Sequence, residues 1–462
     1  MRSLVSTLLT LISFPMNPIN FIHDLKFEDL SATTVHAAKR ALLDTLGVCL
    51  TGRQTELAEI VYNYTAVGHG GTATKLWLDG RDVSLPGAVL AHGFACDSVD
   101  MHDGFKRTKG HPGAAVIPGA LALLHDSEGH PIDGKELITS IVIGYEISVR
   151  AGVTIHATTC DYHTSGSWNT LGVAAMYARR HKLTHEQTAH ALGIAEYHGP
   201  RSQMMRCIDY PTMLKDGSGW GAMAGMSAGM LAQAGFTGAP AITVEIGADA
   251  ANAENQEAVE MWADLGSNFV MDKQYFKKFA VCYWAQPAVA ATLNLREQHN
   301  IDAADITKIR VETFHEATRL AHPNPENTEI AQYSLPYPVG AALVHGQITA
   351  KELVAEQLTN PEVLRLSNMV ELAEDDAFNE IFPNDRFCRV TITTADGTTV
   401  TSEPTTPPWT EKAPPTDAEL DQKFRTIVGQ VMPKAQVDGL IKMLWDVENV
   451  AEADQILGQL QI

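Results

Sequence analysis

"GSGWGAMAGMSAGMLAQAGFTGAPAITV", residues 217–244, contains no charged residue and repeats glycine at 217, 221, 225 and 229. Small residues four apart let helix backbones approach closely, in bilayers and in closely packed protein interiors alike. The stretch is long enough to span a membrane, but its hydrophobicity is too low and no second apolar segment lies nearby. It therefore predicts an interior helix of a tightly packed helical domain.

Working outward, the preceding sequence carries the same period. Apolar residues recur three and four apart from Pro18 to Leu46, with Ser31 as a predicted N-cap. Further helices are predicted at 55–66, 86–98, 114–126, 134–152, 167–180, 185–197 and 219–234. Strand signals are scarce there, so residues 16–270 read as an all-helical domain. Beyond 271 the pattern changes: "ITKIRVETFHEA" and "RFCRVTITTADGTTVTSE" alternate apolar and polar residues, the second around an Asp396-Gly397 turn. With the helical "SLPYPVGAALVHG" between them, residues 271–404 read as a smaller α+β domain. The Pro-rich "EPTTPPWTEKAPPTDAEL" is a linker signal, and 405–462 is predicted to return to the helical domain through its final helices. The fold class is thus mainly α. Residues 1–15, "MRSLVSTLLTLISFP", outline a signal peptide without a small-residue cleavage site; followed by Met16, they read as a tail or an upstream start.

Composition narrows the function. A chain of 462 residues has room for two or three domains and a buried site. The net charge of −21 argues against nucleic acid or an anionic membrane as partner, since both need a clustered positive field. The six cysteines show no CxxC pair or finger spacing, so neither a disulfide framework nor a structural zinc site is expected, and a reducing, cytoplasmic setting fits.

Ionisable groups concentrate in one place. "DSVDMHDGFKRTKGH", Asp97 to His111, holds three aspartates, two histidines and three basic residues, then turns directly into the apolar "PGAAVIPGALAL". A loop feeding a helix N-terminus presents free N–H groups that favour a bound carboxylate, and Asp100, Asp103 and His111 stand at its edge. Asp100, His102, Asp103, His111 and His163 are also metal-ligand types, but no rigid ligand spacing is present and no metal is expected. Three other segments gather related chemistry: "CDYHTSGSWNTLGVAAM" with His163 before a helix, "CIDYPTMLKDGSGWGAMAG" with Lys215 before the Gly-rich helix, and "AQYSLPYPVGAALVHG" with Tyr337 at a helix start.

These four segments occur in the order and at about the spacing of the MmgE/PrpD family, which the chain resembles from about residue 18 to its C-terminal helices. The resemblance implies an all-helical domain with a smaller α+β lid, a homodimer, no cofactor, and a cleft lined by Asp100, His111, His163, Lys215 and Tyr337. It implies a small polycarboxylate substrate and carbanion chemistry next to a carboxylate. Cations are needed to hold the carboxylates and spread enediolate charge. Lys215, Arg206 and one of Lys106, Arg107 or Lys109 are the candidates, with Lys277 or Lys278 from the lid. His163 or His111 is expected as general base, with Asp100 orienting an imidazole, Asp103 supporting the loop beside the substrate, and Tyr337 returning a proton. A lyase of the dehydratase type is the leading expectation, then an isomerase or epimerase, then a decarboxylase, with a silent binding relative as the non-enzyme alternative. Two departures from the family pattern stand out. "DMHDGFKRTKGHP" replaces a "DFDDTH"-like loop, with Gly104 where a hydroxyl residue often stands, and in "KKFAVCYWAQPAVAA" Cys282 or Gln286 takes the place of a histidine.

Overall fold

The computed structural model describes residues 16–124, 131–245 and 255–461. The segment 1–15 and the end of the helix predicted at 114–126 lie outside them. Eight helices of the N-terminal half carry the site: α1 (Ala32–Gly52), α2 (Glu56–Gly68), α3 (Leu85–Asp97), α4 (Gly113–Ala122), α5 (Gly134–Thr158), α6 (Gly166–Arg180), α7 (His185–His198) and α8 (Ser218–Gln233). Five of these starts follow from side-chain caps that satisfy otherwise orphaned N–H groups. Ser31 accepts from Thr34 N, Asp133 from Glu136 N, and Thr184 forms a reciprocal capping box with Gln187.

The Gly-rich stretch is α8, and it packs against α6 and α3. A Cβ at Gly221 would stand 2.4 Å from the Gly166 carbonyl oxygen, and one at Gly225 2.3 Å from that of Thr170. Glycine is required at both because the α6 backbone occupies the space a side chain would take. Gly217, first of the four, serves instead as the left-handed N-cap at φ 68°. Among the described residues α5, not α8, is the one helix long and apolar enough to cross a bilayer, and the whole of that window is buried within the protein.

The second half supplies helices α9 (Gln286–His299) and α10 (Pro336–His345) and a four-stranded sheet. Its strands are β1 (Ile306–Thr313), β2 (Val370–Glu374), β3 (Cys388–Thr394) and β4 (Thr399–Thr401), in the order β2-β1-β3-β4. β2 runs parallel to β1; β3 and β4 are antiparallel neighbours turning at Asp396-Gly397. Alternation puts Ile309, Val311, Val390 and Ile392 on the buried face. Two C-terminal helices, α11 (Asp417–Val428) and α12 (Lys434–Trp445), pack back on α1.

One buried lysine holds these parts together. Lys423 of α11 donates to Asp44 of α1 at 2.6 Å and to the carbonyls of Met101 and Lys277 at 2.8 Å each, so all three ammonium protons are used. Burial pushes the Asp44 carboxyl up and the Lys423 ammonium down, which is why each needs the other. Removing one member leaves a buried charge and two carbonyls unpaired. Lys423→Met is therefore expected to lower unfolding free energy by about 3–5 kcal/mol in urea denaturation. The double variant Asp44→Asn/Lys423→Met should recover part of that loss, and equal losses in single and double variants would refute the pairing.

Candidate active site

The loop between α3 and α4 is pinned before any ligand arrives. Asp103 accepts from Gly113 N at 3.1 Å and from the Tyr145 hydroxyl at 2.8 Å, so its carboxyl is spent on the protein. Burial raises it to about 7 despite these bonds. Its role is to hold the loop, and it does not line the cavity, which corrects the substrate contact expected from sequence. The Asp103 carbonyl does more: it accepts from His111 Nδ1 at 2.6 Å. A carbonyl only accepts, so the proton sits on Nδ1 and Nε2 keeps its lone pair as a base. Burial, then Lys277 and His102, push the His111 imidazole well below its usual pKa.

Asp100 faces Lys277 instead of an imidazole, at 2.5 Å from carboxylate oxygen to Nζ. The orienting role expected of it falls to the Asp103 carbonyl. Burial alone would raise the Asp100 carboxyl, but Lys277 and then Lys215 outweigh it and hold it below the ordinary value. Asp100, Lys109 and Lys215 all have left-handed backbones, at φ 47°, 51° and 49°, uncommon for residues with a side chain and concentrated here at one site.

A narrow cavity of about 50 Å³ opens between the two halves of the chain. Asp100, Lys109, His111 and Lys277 line it together with Tyr275, Cys282, Tyr333 and Arg386. Behind it, Asp100, His102 and His111 bring ligand-type atoms within 4.8 Å of one another. The Lys277 ammonium already pairs with that carboxylate, and burial followed by its charge keeps both histidines neutral.

Other expected residues lie elsewhere. Lys215 lines an adjoining cavity of about 310 Å³ with Arg206. It stands in the partition: its Nζ donates to Gln332 and lies 5.1 Å from the Tyr333 ring centre. His163 lines neither cavity; its Nδ1 donates to the Asp161 carbonyl at 2.8 Å, and the preceding Tyr162 lines the main cavity in its place. Tyr337 is buried inside the smaller domain, donating to the Gln357 carbonyl at 3.0 Å. Tyr333, four residues earlier at the C-cap of a separate short helix (Thr328–Gln332), supplies the phenol that faces the cavity, kept protonated chiefly by burial. Lys278 is exposed and lies over Phe279 and Trp409, whereas Lys277 is buried. Of the three loop cations, Lys109 reaches the cavity, while Lys106 pairs with Asp385 and Arg107 with Glu257.

Family models match this arrangement along most of the chain: the MmgE/PrpD N-terminal domain over residues 19–251 and the MmgE/PrpD C-terminal domain over 279–447. The chain belongs to the MmgE/PrpD family. Its relatives include cis-aconitate decarboxylase of Homo sapiens, 26% identical over 444 residues that cover 93% of this chain and 91% of the relative. The mouse protein of the same name is 27% identical over 450 residues, covering 93% and 90%. Mitochondrial 2-methylcitrate dehydratase of Yarrowia lipolytica is 24% identical over 414 residues, covering 82% and 76%.

Within this MmgE/PrpD protein both sequence departures have a structural reason. Gly104 bridges Tyr275, and a Cβ at 104 would stand 2.3 Å from the Tyr275 hydroxyl. The phenol oxygen thus occupies the place of a hydroxyl side chain at 104. Cys282 faces the cavity as a neutral thiol, raised to about 12 by burial, whereas Gln286 is turned away to the backbone of Phe279 and Val281.

His102, behind His111 with ring centres 4.4 Å apart, stands 3.3 Å from Asp97 and is lowered to about 3 by burial and then by Lys277. The unfolded chain binds this proton near pH 6.5 and the folded one near 3, so the stability from neutral His102 is complete above 6.5 and is lost as pH falls toward 3. Between pH 7.5 and 5 the loss from this group is roughly 2 kcal/mol. His102→Asn should lose that much less than wild type over the same interval in urea denaturation; parallel losses would contradict the burial argument.

Proposed function

We propose that the chain is a lyase acting on a small tricarboxylate by proton transfer at a carbon beside a carboxylate. The observation that carries this reading is a charge imbalance around a base. Arg386 and Lys109 line the cavity and Lys215 stands in its partition, and no carboxylate among the described residues pairs with any of the three. The His111 Nε2 lone pair belongs to the same cavity. Lys215 and Arg386 are buried, and an uncompensated buried cation is costly. A substrate carrying several carboxylates removes that cost on binding.

Each residue then has a task. His111 Nε2 takes the proton from carbon; the field of the bound carboxylates raises its depressed basicity toward neutral pH. Lys277, kept in place by Asp100, faces the enediolate that forms and stabilises its charge in a site from which water is largely excluded. Tyr333 delivers a proton to the departing hydroxyl. Dehydration is the first reading. Decarboxylation is the second, favoured by the apolar side of the cavity, where Met204, Ile208, Trp284 and Phe382 would strip water from a leaving carboxylate. Both readings agree with the names of the relatives, and all the proton transfers use side chains of this chain.

Cytoplasmic location and a homodimer complete the proposal. Five of the six cysteines are buried and all are free. Ile60, Tyr64 and Val67 of α2 are exposed, as are Leu214 and Trp220, and a second copy would cover such a surface. Sedimentation equilibrium at micromolar concentration should return twice the chain mass.

Proton NMR in heavy water tests the chemistry with citrate, 2-methylcitrate, cis-aconitate and iminodisuccinate. Deuterium should enter a carbon beside a carboxylate, the product should separate loss of water from loss of carbon dioxide, and His111→Ala should slow turnover by roughly 10²–10⁴-fold. Absence of exchange with every acid, or unchanged turnover in His111→Ala, would sink the proposal.

A further inference from the structure

Three of the large buried cations among the described residues have carboxylate partners. Lys277 has Asp100, Lys423 has Asp44, and Arg150 has Glu146 and Asp264. Lys215 gives its ammonium to the Gln332 amide oxygen instead, and Arg386 departs furthest. It is only 4% exposed, yet among the described residues it pairs with no carboxylate. The adjacent Asp385 is engaged by Lys106 and, at longer range, by Lys412. Among the described residues, the one hydrogen bond Arg386 donates runs from Nη1 to the Pro383 carbonyl at 3.3 Å, and its buried Nε has no acceptor. The guanidinium lies over the rings of Tyr283 and Phe382, at 5.2 and 5.8 Å from their centres, and this packing fixes its plane beside the cavity. It lies close enough to Lys109 to contribute, after burial, to lowering that ammonium.

We infer that Arg386 is a carboxylate-binding subsite: its guanidinium receives the third carboxylate of the substrate and makes the site select tricarboxylates over dicarboxylates. This rests on the polycarboxylate reading above and deepens it. A guanidinium presents its donors in a rigid fork that matches two carboxylate oxygens, which a lysine at this position would not reproduce. Because Arg386 belongs to the smaller domain and His111 to the larger, the same carboxylic acid bridges both halves of the chain.

Tricarballylate, which has neither the hydroxyl nor the double bond needed for reaction, and glutarate, which lacks its central carboxylate, separate binding from chemistry in isothermal titration calorimetry. Wild type should bind tricarballylate more tightly than glutarate. Arg386→Gln should weaken tricarballylate on the order of tenfold to a hundredfold and glutarate much less, so that the preference collapses, and Arg386→Lys should restore only part of it. A merely structural arginine would instead lower the thermal midpoint and leave the ratio of the two acids unchanged. Equal ratios in wild type and Arg386→Gln, or no binding of tricarballylate by wild type, would overturn the inference. If no acid exchanges deuterium yet tricarballylate binding depends on Arg386, the reaction class falls and the subsite stands. If Arg386→Gln turns over its substrate with unchanged KM, the subsite falls and the reaction class stands.

Discussion

The three hydrogen bonds of Lys423 constrain the site more than any contact inside it. They join the C-terminal helix to α1, to the carbonyl that follows Asp100, and to the carbonyl of Lys277. The Asp100–Lys277 pair is therefore gripped from behind through the backbone of both its neighbourhoods. A charged side chain is suited to this because ammonium can saturate three acceptors at once in a dry interior, and Asp44 balances it. The last part of the chain is thus structurally part of the site although no residue of α11 lines the main cavity.

Around that anchor, the site separates protons by environment. Asp97, Asp103 and Asp216 are all pushed up to about 7, chiefly by burial, while Asp100 is held low by its cations. The histidines are pushed the other way, toward the neutral form. The resting site consequently contains a base that is free to accept and cations that are free to bind, with Asp97, Asp103 and Asp216 partly neutralised and Asp100 ionised. Environment assigns these different roles to chemically identical side chains.

Much of this was legible in the sequence where one physical rule dominates. Helix periods, the Ser31 cap, the Asp396-Gly397 hairpin and the interior character of the Gly-rich helix follow from local pattern. The α3–α4 loop was legible because ionisable groups beside an apolar run are rare. Details that depend on direction were not. In "AQYSLPY" the tyrosine at the helix opening faces its own domain and Tyr333 faces the cavity; in the Lys277-Lys278 pair, one residue of register decides which lysine is inside. Arg386 carried no local signal, since nothing in "NDRFCRV" tells an unpaired arginine from a surface one. Strand β2, "VELAE", is short and half-exposed, so its apolar pattern is weak; parallel pairing with β1 defines it.

The Gly104–Tyr275 contact also bears on how this site can change over generations. A hydroxyl residue cannot return to position 104 while the phenol is there, and losing the phenol first would leave Gly104 beside an empty space with no hydroxyl at all. The two positions, 171 residues apart in numbering, are sterically coupled: a side chain at 104 requires the Tyr275 ring to move or be replaced. A loop carrying a side chain at 104 would therefore fit this chain best with position 275 changed alongside it.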